Sequence, residues 1–425
     1  REHALAWKIA QSEHVGKVYV GSGNPGIARE DKCMAVPLKA GDFREVSDIV
    51  MYYDIGLTVV GPEAPLADGI VDYFHNNSLA EKGHFIFGPS KGAASLESSK
   101  VFAKKFMKKY GIPTADFHIH SSIKHARGSA RDMLSVDDKV VVKADGLAAG
   151  KGAIVCDSYE SAKDAIDMIM KQKKFGDAGN QVVVERFMPG EEASILALSD
   201  GFSLKYLISS QDHKAVYDGD RGPNTGGMGA YAAAPVVTDE VMKRVISRIA
   251  EPTIEGMAEN GTPFEGCLYM GLMIDKDGNP RVVEYNIRFG DPETQPVLMM
   301  LESDIYPLLR ACPAGNLSTY DVQNKDGAAC CVVMANEGYP GSYEKGALIH
   351  GIEDADALEG VKVFHAGTGL NGEGVTAAGG RVLGVTAVGP TIEDAVGKAY
   401  AGVNKIHWDG EYHRNDIGHR AMERE

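Results

Sequence analysis

The stretch Val142-Lys143-Ala144-Asp145-Gly146-Leu147-Ala148-Ala149-Gly150-Lys151-Gly152-Ala153-Ile154-Val155 constrains the fold of this chain more than any other. Apolar β-branched runs, which favour strands, flank a small-residue loop that holds three glycines and a lysine. A loop without bulky side chains brings backbone N–H groups against phosphate oxygens, and Lys151 adds a point charge. It is not a Walker loop, which needs four residues between its two glycines and then Lys-Ser/Thr opening a helix. Here three residues separate Gly146 from Gly150, Gly152 follows the lysine, and the chain re-enters a strand. The geometry implied is a strand-loop-strand flap closing over nucleotide phosphates. A glycine-rich hairpin without a ligand carries the same local signature.

A chain of 425 residues exceeds a single-core size, so roughly two to four domains are expected. Its net charge of −15 argues against a nucleic-acid partner, whose phosphates demand a basic face. Six cysteines are scattered with no Cys-x-x-Cys, which points to free thiols in a reducing cytosol. No stretch reaches the ~18 apolar residues of a membrane span, and no signal peptide is visible. The chain begins Arg1-Glu2-His3 on helical apolar spacing, ALAWKIAQ, leading into a strand at 17–20. A βα unit should open with a strand and a glycine turn, so residue 1 is read as an internal start.

Residues 1 to about 90 alternate strand and helix. KVYV, LTVVG and HFIFG are short apolar runs separated by helical patterns such as DFREVSDIVMYYDIG. That is the βαβ signature of a parallel sheet, whose ligands sit at the carboxyl ends of the strands. The helix SKVFAKKFMKKYG stops at Gly111, and Ile112-Pro113-Thr114 breaks it. An α/β lobe carrying the flap runs to about 180, followed by the strand QVVVERFMPG and long α+β sequence to about 305. Strands AACCVVMA, KVFHAG and RVLGVTAVG, with the helix TIEDAVGKAYAGVNKI, make a small α/β end domain. Asp275-Lys276-Asp277-Gly278-Asn279 resembles the start of a calcium loop, but its glycine falls fourth instead of sixth, so a hairpin turn is expected.

Arg281-Val282-Val283-Glu284-Tyr285-Asn286-Ile287-Arg288-Phe289 is the second strong element. With strand period two, Val283, Tyr285, Ile287 and Phe289 are expected on an apolar face, and Glu284, Asn286 and Arg288 on the other. A carboxylate and an amide two residues apart are hard oxygen ligands suited to Mg²⁺ bridging nucleotide phosphates. Arg288 offers a bidentate fork to a carboxylate or phosphate. A solvated outer sheet face would look the same. Gly290-Asp291-Pro292-Glu293 adds two acids at the strand end. Val184-Glu185-Arg186-Phe187-Met188-Pro189-Gly190-Glu191-Glu192 is a buried strand breaking at Pro-Gly, which offers apolar walls and backbone groups to an adenine, with Glu192 in reach of ribose hydroxyls. Gln211-Asp212-His213-Lys214 and Asp220-Arg221-Gly222-Pro223-Asn224-Thr225-Gly226-Gly227-Met228-Gly229 supply donors and acceptors for a small polar substrate, and a ligand-free flexible loop is the alternative. His213 has no partner at metal-ligand spacing, which disfavours zinc. No Gly-x-Ser-x-Gly elbow or Cys/His nucleophile signature appears.

Taken together, the chain resembles the glycinamide ribonucleotide synthetase family of the ATP-grasp superfamily over nearly its whole length. The motifs that carry the resemblance are GNPG at 23–26, VVGPEAPLADGI at 59–70, FGPSKGAASLESSK at 87–100, VVKADGLAAGKG at 141–152, SQDHKAVYDGDRGPNTGGMGAY at 210–231, VVEYNIRFGDPETQ at 282–295 and HAGT at 365–368. RxDIGxRA at 414–421 is also how that family ends. The family's first strand and its glycine-rich turn have no counterpart before Arg1. The resemblance implies a multidomain α/β and α+β fold: a parallel βαβ substrate domain over 1–96, an ATP-grasp region over 97–305 with a mobile flap lobe at about 115–182, and a carboxyl-terminal domain over 306–425. It implies the reaction ATP + glycine + 5-phosphoribosylamine → glycinamide ribonucleotide + ADP + phosphate, in cytoplasmic purine synthesis.

By position, the resemblance puts Lys143 and Lys151, with Gly150 and Gly152, at ATP phosphates. Glu185, Arg186, Phe187, Met188 and Glu192 would hold adenosine, and Glu284 and Asn286 would bind Mg²⁺, with Mn²⁺ as the substitute. Glu63, His213, Lys214, Asn224, Arg288 and Asp291 would surround the phosphoribosylamine, with Lys151, Arg288 and Asp212 in catalytic roles. Activation would run through glycyl phosphate, which needs no side-chain nucleophile. Transient contact with the upstream amidotransferase and, as in animals, fusion to later purine enzymes are implied as partners; nucleic acid and membrane are not. The rival readings are another ATP-grasp carboxylate–amine ligase of purine synthesis and a nucleotide-binding module made inactive by amino-terminal truncation.

Overall fold

The computed structural model describes residues 1–147 and 152–424. The first residues form the helix Glu2–Ala10, as its apolar spacing predicts. The parallel pairing expected next is present but split in two. Val18–Gly21 pairs with Cys33–Val36, and Leu57–Val59 pairs with Phe85–Phe87, as separate two-stranded sheets. A cavity of about 630 Å³ lies between them, lined by Val18, Val20, Leu57, Val59 and Val50 among others. Asp42 caps the helix Phe43–Tyr52 by accepting from the Glu45 N–H at 3.1 Å. Ser99 likewise caps Lys100–Lys109, whose Val101, Ala103, Phe106 and Met107 are buried. That helix ends where Gly111 takes φ +66° ahead of Ile112-Pro113.

A four-stranded antiparallel sheet follows, in the order Phe117–His120, Val182–Arg186, Val140–Ala144, Ala153–Cys156. The predicted strand-loop-strand is its last pair, with Val140 opposite Cys156 and Lys143 opposite Ala153. Alternation gives the lobe its two faces. Val140, Val142, Val182 and Val184 are fully buried in one core with residues of the helices Ile123–Leu134 and Tyr159–Ile166. Val141, Lys143 and Glu185 face the other way, toward the cleft.

The rest is organised on one large sheet. Its main path runs Pro280–Asn286, Glu265–Ile274, Glu191–Asp200, Ser210–Asp212, Gly229–Ala232, Ala328–Asn336, Arg381–Gly389, Val361–His365, antiparallel throughout. The late strands AACCVVMA and RVLGVTAVG therefore continue the sheet that begins with the Glu284 strand. Residues 275–279 make a hairpin turn, as expected: the Gly278 N–H donates to the Asp275 carbonyl at 2.9 Å and Gly278 has φ +72°. All six cysteines are free thiols. No described helix is long and apolar enough to cross a membrane.

Candidate active site

The lobe sheet, the amino-terminal loops and the first strands of the large sheet enclose a cleft of about 370 Å³. Its floor is the strand Pro280–Asn286, and there the alternation read from sequence fails at one residue. Gly271 pairs with Glu284, while the next residue, Leu272, pairs with Val282, so Val283 is an extra, bulged residue. The bulge turns Val282 into the core, fully buried, and leaves Val283 and Glu284 both half-buried at the cleft wall. Tyr285, Ile287 and Phe289 keep the core positions expected of them; Val283 does not.

Glu284 lies 3.6 Å from the Lys100 ammonium. Burial alone would raise its pKa, but Lys100, Lys214, Lys143 and Arg288 outweigh that and bring it down to about 2. Asn286, two residues on and buried, also lines the cleft. An ionised carboxylate beside an amide oxygen fits a hard divalent cation. Among the described residues no group of three or more His, Cys, Asp or Glu could hold a metal. A cation held by this pair would have to complete its shell from substrate oxygens and water, the usual habit of Mg²⁺.

Arg288 is the joint between the floor and the amino-terminal loops. Its Nε donates to Glu63 Oε2 at 3.3 Å, and Nη2 donates to Glu97 Oε1 at 3.5 Å and Asn286 Oδ1 at 3.3 Å. Glu97 is fixed in turn by the Ile287 N–H at 2.8 Å. Asp291 takes Arg381 at 2.7 Å and Gln295 at 2.9 Å. Burial pushes its carboxyl up, yet the Arg381 and Arg1 guanidinium groups hold it well below the carboxylate range. Arg381 also donates to the Gly226 carbonyl at 2.6 Å. At Gly227, φ is +109° and a Cβ would meet Pro292 Cδ at 2.3 Å, so this turn requires glycine.

On the lobe side, Glu185 sits between two lysines, 2.5 Å from Lys143 and 2.5 Å from Lys104. Lys143 also donates to the Val283 carbonyl at 2.9 Å. Burial lowers the Lys104 pKa to about 8, against the pull of Glu185. Arg186 pairs with Asp137 at 3.4 Å, the Lys139 ammonium lies 5.2 Å from the Phe187 ring centre, and Met188 is a buried apolar wall. The Gly152 carbonyl accepts from Ala144 N–H at 2.9 Å. Gly150 and Lys151 lie outside the described residues.

On the opposite wall, Lys214 reaches Glu192 at 2.5 Å. Asp212 is buried beside it. Burial drives its carboxyl up to about 7; Lys214 and Arg420 oppose the shift, and Glu293 and Glu192 add to it. Asn224 stands exposed at the rim. His213 is not brought to the cleft. Between Asp212 and Lys214 it points away, fully buried, and its Nε2 accepts from the Gly418 N–H at 3.3 Å. Burial first, then Arg420 and Arg414, push its pKa to about 3, so it is a neutral joint to the chain's tail. The sequence reading missed Arg1, Glu97, Lys100, Tyr269 and Arg381, which also line the cleft. Glu97 and Lys100 lie inside a motif already quoted, but Arg381 left no sequence signal because it arrives through sheet pairing from far along the chain.

Three family models match the chain in order. These are the phosphoribosylglycinamide synthetase N domain over residues 1–97, its ATP-grasp (A) domain over 98–294 and its C domain over 329–420. The phosphoribosylamine–glycine ligase of Xanthomonas axonopodis pv. citri is 49% identical over 426 aligned residues, covering 100% of this chain and 96% of the relative. Among solved structures, the phosphoribosylamine–glycine ligase of Thermotoga maritima superimposes with a TM-score of 0.79 at 32% identity, covering 98% of this chain and 97% of that one. The biotin carboxylase domain of Hydrogenobacter thermophilus 2-oxoglutarate carboxylase, solved with MgADP, gives a TM-score of 0.73 at 17% identity, covering 97% and 89%, a likeness of fold alone.

Proposed function

This chain belongs to the phosphoribosylglycinamide synthetase family, and on that premise we propose that it joins glycine to 5-phosphoribosylamine with ATP, giving glycinamide ribonucleotide, ADP and phosphate in purine biosynthesis. The observation that carries this reading is the convergence on one cleft of the Glu284/Asn286 pair, the Lys143–Glu185 wall and the Asp212/Lys214 wall.

A carboxylate does not react with an amine unaided. A glycine carboxylate oxygen attacks the γ-phosphorus, the bond to the β,γ-bridging oxygen breaks, and ADP leaves. The amine nitrogen then attacks the glycyl phosphate carbonyl, and phosphate leaves with the bonding pair. Glu284 and Asn286 would hold Mg²⁺, or Mn²⁺ in its place, which when bound draws charge from the phosphates. Lys143 would take up phosphate charge, and the family motif assigns the same task to Lys151 with Gly150 and Gly152. Arg186, Phe187, Met188, Glu185 and Glu192 frame the adenosine. Arg288 orients the reacting carboxylate while Glu63, Lys214, Asn224 and Asp291 hold the phosphoribosylamine. Asp212 accepts the proton that the attacking amine must lose, a task suited to a carboxyl near neutrality. The free thiols suit the reducing cytoplasm, where this reading also places transient transfer of the amine from the upstream amidotransferase.

The test uses glycine labelled with ¹⁸O in its carboxylate, incubated with ATP, Mg²⁺ and freshly made phosphoribosylamine. One label should pass into inorganic phosphate, with ADP as co-product. AMP and pyrophosphate, or unlabelled phosphate despite product formation, would overturn the acyl-phosphate route. ADP release that ignores the amine would overturn the ligase reading.

A further inference from the structure

The tail at 414–421 lies outside the cleft yet grips the substrate loop at both ends. Arg414 is fully buried: Nη1 donates to the Ala215 carbonyl at 3.1 Å and Asp220 Oδ1 at 2.9 Å, while Nε and Nη2 clasp Asp416 at 2.7 and 2.8 Å. Asp416 accepts from the Gly219 N–H at 2.7 Å. Arg420 donates through Nη2 to Asp220 Oδ2 at 2.7 Å and through Nη1 to the carbonyl of Asp212 itself at 3.1 Å. The Gly418 N–H closes on His213. The backbone on either side of the Asp212 and Lys214 side chains is thus fixed from behind by one tail.

We propose that this tail sets the amine side of the cleft, with Arg420 as the positioning residue that holds the Asp212 main chain and so aims Asp212 and Lys214 at the substrate. The inference rests on the ligase reading above and deepens it by assigning the tail to the second half-reaction. Arg420 itself touches no substrate. The fork matters because its planar donors satisfy a carbonyl and a carboxylate at once, which an ammonium cannot do in the same geometry. Asp212 is faced by Lys214, Glu192, Glu293, Tyr269 and Arg420, so loss of the Arg420 charge also leaves its carboxyl harder to ionise.

Arg420→Gln and Arg420→Lys are compared with the wild-type full chain. In Arg420→Gln, kcat/KM for phosphoribosylamine should fall about tenfold or more, with ATP-analogue affinity unchanged. The acid limb of its pH profile should move to higher pH. Arg420→Lys, which keeps the charge but loses the fork, should leave that limb in place while still losing amine kcat/KM. The side chain is about a quarter exposed, so both variants should fold. Wild-type turnover with an unchanged amine kcat/KM in Arg420→Gln would overturn the positioning role alone. Equal loss of amine and nucleotide affinity would reduce the tail to a general scaffold and also overturn it. Wild type without amine-dependent ADP release would overturn the ligase reading, and this inference with it.

Discussion

Truncating the two adjacent valines of the floor strand should give opposite phenotypes, and the bulge reverses the order that alternation predicts, with Val282 in the core and Val283 at the cleft. Val282 is fully buried in the largest core, and Val283 is half-buried at the cleft. Val→Ala removes two methylene equivalents, about 1.6 kcal/mol of transfer free energy at ~0.8 kcal/mol each. At Val282 the surrounding core cannot collapse fully, and the cavity left behind brings the loss to about 2–3 kcal/mol. At Val283 part of the side chain is already in water at the cleft and no closed cavity forms, so the loss is about 1 kcal/mol. Thermal unfolding by calorimetry should therefore place Val282→Ala a few degrees below Val283→Ala. Steady-state kinetics should show the reverse: Val282→Ala keeps its KM for ATP, while Val283→Ala, which loosens the wall beside Lys143, raises it. A Val283→Ala protein more destabilised than Val282→Ala, with normal nucleotide KM, would restore simple alternation and refute the bulge.

Glu284→Ala should abolish turnover, by at least 10²-fold, while the melting temperature stays within about two degrees, since it removes an oxygen ligand from a polar wall. Near-normal activity at limiting Mg²⁺ would refute the metal role. Gly227→Ala should destabilise by about 1–3 kcal/mol and lower kcat/KM, because the new methyl meets Pro292 and the φ is left-handed; calorimetry and kinetics together check it. For Asp212 the two pH effects run opposite ways. Its folded pKa, about 7, lies above the unfolded value of about 3.9, so its contribution to stability is present below the latter and is lost as pH rises through the former. In the proposed mechanism its ionised form accepts the amine proton, so kcat/KM for the amine should rise through the same window, and Asp212→Asn should lose that limb.

The flap hairpin, the parallel pairs, the capped helix at 100 and the 275–279 turn were legible because each is a local pattern: β-branched runs around small residues, a serine before an amphipathic run, an Asp-Gly turn. Glu284 and Asn286 were legible for the same reason. Val283 was not, since a bulge is set by which partner strand is present, here Gly271 and Leu272, and no periodicity within 280–289 records it. His213 shows the converse. Its neighbours Asp212 and Lys214 reach the cleft, and alternation alone sends it to the other side, but what waits there is a tail some two hundred residues later. Arg381 is invisible by the same logic.

These non-local arrivals change the electrostatics of the site. In this conformation Lys143 is held by Glu185, Lys214 by Glu192, Lys100 lies near Glu284, and Arg288 is divided between Glu63 and Glu97. Among the described residues, Lys143, Lys214 and Arg288 are thus each already close to a protein carboxylate. Phosphate oxygens must compete for these cations, and a nucleotide brought without a counter-ion would add its negative charge to a wall lined by Glu63, Glu97, Glu185, Glu192 and Glu284. A divalent cation held by Glu284 and Asn286, as proposed above, would resolve that conflict by neutralising both sides at once. The carboxylates of this wall would therefore give a physical reason for the proposed metal requirement, which the Glu284/Asn286 spacing alone only suggests.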